Sequence, residues 1–231
     1  MELDLVEKLV LANRILTNEG ILDGFGHVSV RPPGRDELLV SSYGSAAVVQ
    51  ADEIITMDFD GNILDNEDAE TYSETAIHRA IYRHRDDVNA VIHHHDPAIM
   101  PFTVTDVEIK PVFHMGALFY EGIPLFDAYD SHRGRLIVGR EESDRMADEL
   151  GHRRAQLLEG HGANVVGSTL EKAVVSAVYL SLNAKYQWQA ELLGSPRFYT
   201  EDQEELQEMT DDIILAERTV NRMWEFLLER L

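Results

Sequence analysis

No cysteine occurs in the 231 residues, which excludes disulfides, thiolate-held metals and cysteine nucleophiles together. Long apolar runs are missing too, and no stretch reaches the roughly 18 consecutive apolar residues expected of a membrane span. Bases are scarce, 20 against 42 acids, and lysine occurs only at Lys8, Lys110, Lys172 and Lys185. The resulting net charge of −22 repels phosphate backbones and anionic lipid, so nucleic-acid and membrane partners are not expected. There is no internal repeat, low-complexity tract or linker rich in Gly, Pro or Ser. The opening MELDLVEKLV carries acids where a secretory signal needs a basic segment and then an apolar run. A soluble, cytoplasmic protein is the expectation. The acids are spread through amphipathic segments rather than gathered in a tail. That dispersion suggests a high-salt cytosol, where screening weakens the repulsion between so many like charges.

What is present alternates between two periodicities. Leu3, Val6, Leu9, Val10, Asn13 and Leu16 recur at helical spacing over residues 2–19, with Gly20 as the stop. Val28 and Val30 alternate with His27, Ser29 and Arg31, as in a half-buried strand. Leu38–Ser42 and Ile54–Phe59 also read as strands, the second closed by Asp60-Gly61. Ser73 is placed to cap a helix over about 74–85 that faces the core with Ile77, Ala80 and Ile81. Val88–His95 is a short strand ended by Asp96-Pro97. Met115–Tyr120, Ile123–Phe126 and Glu142–Leu150 read as helix, strand and helix, and Ala155–Leu158 and Ala163–Val166 flank a turn at Gly160-His161-Gly162. Ser168 and Glu171 have capping-box spacing before a helix that runs to Leu193. Beyond Ser195-Pro196, residues 197–231 carry one strongly amphipathic terminal helix, Glu201–Leu231. Such intermixing favours one α/β domain, 1–231, with helices covering a sheet.

The chemistry-bearing residues begin with His93-His94-His95. Strand alternation sends His93 and His95 to one face and His94 to the other, so two imidazoles can converge on one ion. A third ligand is needed, and His161 is the best candidate. The glycines on either side of it permit a tight turn and close backbone approach, which a packing histidine does not require. Three histidines with an open position form a catalytic metal site rather than a structural one, although some of the ten histidines must simply pack. Neutral imidazole suits zinc, and harder transition metals when oxygen ligands complete the shell. Glu74 sits in the predicted first turn of its helix, where an acid interacts well with the helix dipole. Facing a metal-held substrate, it could instead move a proton.

The run S-E-T-A-I-H-R-A-I-Y-R-H-R-D-D-V-N-A-V-I-H-H-H, with G-H-G-A-N-V-V-G-S-T-L-E-K-A, G-F-G-H-V-S-V-R and P-V-F-H-M, resembles the class II aldolase/adducin family over residues from about 5 to 195. The resemblance implies a three-layer α/β/α sandwich around a largely antiparallel sheet. It implies His93, His95 and His161 as ligands of one divalent ion per subunit, zinc first and manganese or another ion otherwise. Glu74 becomes ligand or proton carrier. It also implies homotetramers with active sites at subunit boundaries, acting on a small molecule.

The phosphate-binding parts of the sugar-phosphate aldolases are altered. Their G-N-x-S becomes Gly26-His27-Val28-Ser29, their T-P-S-G loop becomes Ser41-Ser42-Tyr43-Gly44, and the serine pair before the glutamate becomes Tyr72-Ser73. A phosphate needs several small donors and free backbone N–H groups, and rings of this size fill that space. The tyrosine that donates a proton in those aldolases falls at His114. His27, Ser29, Ser42, Tyr43, Tyr72 and Ser73 are therefore candidate substrate contacts, with packing or lining as the competing role. The pattern is similar to a branch of metal-dependent decarboxylases of hydroxylated aromatic or keto acids. Decarboxylation and retro-aldol cleavage both leave an electron pair that an adjacent oxygen must hold as an enolate. The expected function is therefore a divalent-metal carbon–carbon lyase leaning to decarboxylation of a non-phosphorylated acid. Aldol cleavage of a sugar phosphate (as in fuculose-phosphate aldolases) or of a 2-keto acid is the alternative. An epimerase would need an intact phosphate site, and a non-catalytic adducin-like binding module would not need the three histidines and the glutamate.

If the acidic surface is tuned to salt, the thermal midpoint should rise between low and multimolar potassium chloride. Equal midpoints in scanning calorimetry would remove that explanation.

Overall fold

The computed structural model describes residues 3–66, 68–130 and 134–231. Helix α1 (Leu5–Asn18) starts at Asp4, whose carboxylate accepts from the Glu7 N–H while the Glu7 carboxylate accepts from the Asp4 N–H. This reciprocal cap sets the start three residues later than the periodicity suggests, and Glu2 lies outside the described residues. Gly20, at φ +74°, ends the helix and turns the chain.

Seven strands follow in one sheet: β1 (His27–Val30), β2 (Glu37–Ser41), β3 (Ile54–Asp58), β4 (Ala90–His94), β5 (Leu125–Phe126), β6 (Ala155–Leu158) and β7 (Gly162–Gly167). Their spatial order is β3-β2-β1-β4-β7-β6-β5. Every pairing is antiparallel except that of β5 with β6. β4 therefore lies at the centre, between β1 and β7, and is buried at every residue.

Two cores flank this sheet. On one face Val28, Val30, Ile92, Ala163 and Val165 pack with Leu9 and Leu16 of α1, and with Val174 and Ala177 of α4 (Leu170–Leu193). On the other face Val40, Val91 and Val166 pack with Ile77 and Ile81 of α2 (Thr75–His84), and with Met146 and Leu150 of α3 (Arg140–Leu150). The result is the expected three-layer α/β/α sandwich around a largely antiparallel sheet. Among the described residues, no helix is long and apolar enough to cross a membrane.

Several local expectations change. Thr169, not Ser168, caps α4 by accepting from the Lys172 N–H, and Glu171 pairs with Lys8 at 2.7 Å instead of closing a capping box. Ser73 is exposed and caps nothing. α2 begins at Thr75, and Glu74 occupies the cap position without making a cap bond. The terminal segment is three pieces rather than one helix: α5 (Gln203–Glu208), a π-turn over Met209–Ile214, and α6 (Glu217–Leu228). The interruption follows from Thr210, a buried residue whose hydroxyl lies 2.9 Å from the Ala117 carbonyl and 2.8 Å from that of Leu206. A side chain tied to a neighbouring element in this way disturbs the regular ladder.

Gly162 shows why the turn before β7 needs glycine. A Cβ there would stand against the His94 carbonyl and 2.9 Å from His95 Cδ2. Gly162→Ala should therefore destabilise the fold by about 1–3 kcal/mol through overpacking, read as a lower urea midpoint at an unchanged slope. An unchanged midpoint would show that the two strand ends can part at no cost.

Candidate metal centre

The sheet register assembles the centre. His93 pairs directly with His27 of β1 on one side and with Asn164 of β7 on the other. Directly paired residues share a face, so all three side chains lie on the α2/α3 side of the sheet. His95, two residues on, shares that face, and the turn between β6 and β7 brings in His161. Ligand nitrogens of His93, His95 and His161 all lie within 4.8 Å of one another. Their rings stand at centroid distances of 4.9 to 5.3 Å. His94 points to the opposite face, where burial pushes its pKa down to about 3.

The outer nitrogens of two of these rings are already committed. His93 Nδ1–H donates to Asn164 Oδ1 at 2.9 Å, and that amide is held by its own Nδ2 contact to Met146 Sδ at 3.2 Å. His95 Nδ1–H donates to the Asp23 carboxylate at 3.1 Å. With Nδ1 as the donor, the lone pair of each uncharged ring sits on Nε2, and the two Nε2 atoms face each other at 3.2 Å. With both Nδ1 protons given away, neither ring has a proton for the other. Two opposed lone pairs repel, and a cation between them removes the repulsion. Burial, reinforced by the neighbouring His27 and His161 rings, holds the His93 pKa well below its ordinary value, in the neutral form that a metal requires. The donor set fits a borderline divalent ion such as zinc.

Glu74 reaches the same point from the start of α2. Its Oε1 accepts from the Ile137 backbone N–H at 2.9 Å, and its Oε2 lies 3.6 Å from His161 Nε2. Burial raises the pKa of this carboxyl. The neighbouring His161 ring and the Ile137 N–H outweigh it, and the net shift is downward. Glu74 is therefore an ionised carboxylate beside the histidines.

The substrate-side candidates divide. His27 is buried, its ring stacked on Tyr72 at 4.8 Å and 5.1 Å from His93. The Tyr72 hydroxyl is held between Ser41 Oγ and the Gly44 carbonyl, each at 2.9 Å. Tyr43 is 70% exposed, its ring 6.0 Å from that of Tyr72. Ser29 is fully buried with its hydroxyl engaged by His78 and Tyr82, so it supports the wall of the site from behind. Among the described residues, no contact joins Ser42 or Ser73 to the histidines. His114 stands apart, beginning a 3₁₀ turn (His114–Phe119) and lining a groove with Tyr179, Arg222 and Phe226.

Asp23, Asn164, His78 and Tyr82 were not anticipated. Asn164 becomes visible only through strand register, and Asp23 only when the loop before β1 folds over the end of β4. His78 and Tyr82 did leave a signal, since residues 74, 78 and 82 form one stripe at i, i+4, i+8 along α2.

Residues 7–188 match the model of the Class II Aldolase and Adducin N-terminal domain. Among curated relatives, the chain is 27% identical over 198 residues to a decarboxylase, tropJ, of Talaromyces stipitatus, covering 79% of this chain and 74% of the relative. It is 32% identical over 188 residues to the 3,4-dihydroxyphthalate decarboxylase of Arthrobacter keyseri, covering 74% and 73%. It is 27% identical over 184 residues to the L-fuculose phosphate aldolase of Methanocaldococcus jannaschii, covering 79% and 94%. The fold superposes on the L-fuculose 1-phosphate aldolase of Glaciozyma antarctica with a TM-score of 0.81 at 22% identity, covering 97% of this chain and 87% of that one.

Asn164→Ala removes the acceptor that orients His93. It should weaken zinc binding by about 10–100-fold, measured by chelator competition with the circular dichroism spectrum unchanged. Undiminished affinity would mean that His93 needs no such support.

Proposed function

The chain belongs to the class II aldolase and adducin family, and on that footing we propose that it is a divalent-metal-dependent carbon–carbon lyase that decarboxylates a non-phosphorylated hydroxylated aromatic or keto acid. The observation that carries the substrate reading is the filled phosphate region. His27 is buried and stacked on Tyr72, and the Tyr72 hydroxyl occupies both Ser41 and the Gly44 carbonyl. The two rings and the bonds of the Tyr72 hydroxyl take up part of the space and some of the small polar groups that a phosphate would need. The similarity to two decarboxylases supports the same reading.

His93, His95 and His161 would hold the ion, zinc by preference, with Asn164 and Asp23 fixing the tautomers of the first two. When bound, the ion supplies Lewis-acid stabilisation of the negative charge that develops as the carbon–carbon bond breaks. In the reaction the bond to the carboxylate breaks, carbon dioxide leaves, and the electron pair stays on carbon until a proton arrives. Glu74, ionised and held by the Ile137 N–H, takes a proton from a substrate hydroxyl and returns it to that carbon. The wall formed by buried His27 and half-buried Tyr72 limits water at the reacting centre.

His114 lies away from the histidines of its own subunit, so any role in the reaction would be played in a neighbouring copy. A homotetramer with boundary-spanning sites follows as part of the proposal, as does a cytoplasmic, high-salt setting for so acidic a surface.

The zinc-loaded protein should release carbon dioxide, and no aldehyde, from acids such as 3,4-dihydroxyphthalate. Glu74→Gln should lower kcat by about 10²–10⁴-fold with the metal content retained. Aldehyde without carbon dioxide from sugar phosphates would reverse the reading in favour of an aldolase, the activity carried by the name of the archaeal relative. No stoichiometric metal after reconstitution would end the lyase reading.

A further inference from the structure

Behind the wall of the metal centre lies a buried chain of polar side chains that metal binding alone does not require. Tyr82 OH stands 2.8 Å from Ser29 Oγ, Ser29 Oγ stands 2.6 Å from His78 Nδ1, and His78 Nε2 stands 2.7 Å from His27 Nδ1. Tyr82, Ser29, His78 and His27 are each no more than 1% exposed. The chain begins in the α2 layer, crosses to β1, returns to α2 and ends at His27, directly paired with His93.

We propose that this chain is a directional hydrogen-bond relay which fixes His27 as a neutral Nε2–H donor, aimed at a carboxylate oxygen of the acid substrate beside the metal ligands. His27 would touch substrate, whereas His78, Ser29 and Tyr82 are positioning residues. The proposal deepens the lyase reading and rests on it for the identity of the substrate.

The direction follows from counting protons. Among the described residues, Ser29 is the only side-chain partner of the Tyr82 hydroxyl. A buried O–H without an acceptor pays its full desolvation penalty, so Tyr82 donates to Ser29. Ser29 then has one proton of its own, and it goes to His78 Nδ1. A neutral His78 that accepts at Nδ1 carries its proton on Nε2, and donates it to His27 Nδ1. His27, accepting at Nδ1, must carry its own proton on Nε2. Run in reverse, the chain ends on Tyr82 with a proton that has no acceptor. Burial agrees with this assignment, since it keeps His78 uncharged.

The consequence for the site is specific. A histidine protonated at Nε2 and bonded at Nδ1 has no lone pair to offer, so His27 is barred from becoming a fourth metal ligand. Nor can it act as a base, which leaves proton uptake to Glu74. What it can do is donate one hydrogen bond without adding charge, and its Nε2 has no protein partner among the described residues. An acid substrate presents the matching acceptor. A ring that only packed would not need a relay to choose its tautomer.

The test is nitrogen-15 NMR of the full-length protein loaded with cadmium-113, which reports tautomers through ring shifts and ligands through metal–nitrogen couplings. His93, His95 and His161 should couple to cadmium, and His27 and His78 should show protonated Nε2, unprotonated Nδ1 and no coupling. Ser29→Ala should leave the three couplings in place but move His27 to mixed tautomers, and Ser29→Thr should restore the wild-type signature. Addition of 3,4-dihydroxyphthalate should shift the His27 Nε2–H resonance. A His27 protonated at Nδ1, a cadmium coupling to His27, or an unaltered His27 tautomer in Ser29→Ala would overturn the relay. A ligand that perturbs the metal-coupled histidines but not His27 would overturn the substrate contact. Loss of all cadmium couplings with the relay signature intact would instead count against the metal centre.

Discussion

The pairing of β4 with β1 on one side and β7 on the other is the constraint from which the rest of the site follows. It sets His93 beside His27 and Asn164 at once. Strand alternation then sends His95 to the same face and His94 to the opposite one. A slip of one residue in either ladder would put His93 into the apolar core beneath α1 and α4, and the site would vanish as a unit.

Most of the polar groups gathered around this centre are held by partners, although His161 Nδ1 and Gln156 Oε1 are buried without one. Asn164 accepts from His93, Asp23 accepts from His95, the Ile137 N–H holds Glu74, and Ser29 links His78 to Tyr82. Buried polar networks of this kind rigidify when satisfied and are costly when broken. The same bonds set the chemistry open to each ring. A proton committed at Nδ1 leaves a lone pair for a metal in His93 and His95, whereas a proton received at Nδ1 removes that option in His27. Three neighbouring imidazoles thereby take two chemical characters from their hydrogen-bond partners alone.

Legibility followed the range of the interactions. Period-2 and period-3.6 patterns located the strands and helices to within a few residues, because they depend only on which face each side chain meets. Caps were read less well. Thr169 replaced Ser168, and the loop before α2 turned Glu74 toward Ile137 and His161 rather than toward its own helix. Thr210 broke the terminal helix by bonding to Ala117, 93 residues away in sequence, and nothing local announces such a contact.

The sequence by itself determined the α/β class, the H-x-H strand with its glycine-flanked third histidine, and the family that those motifs carry. These are legible because alternation, glycine tolerance and motif spacing are local properties of the chain. Only the tertiary structure decided that Asn164 and Asp23 orient two of the three clustered histidines, that the Ser29 hydroxyl is turned to His78 and Tyr82, and that His114 stands apart from that cluster. Each of those outcomes depends on strand register or on helices laid across the sheet. Such contacts join residues far apart in sequence, and no local pattern encodes them.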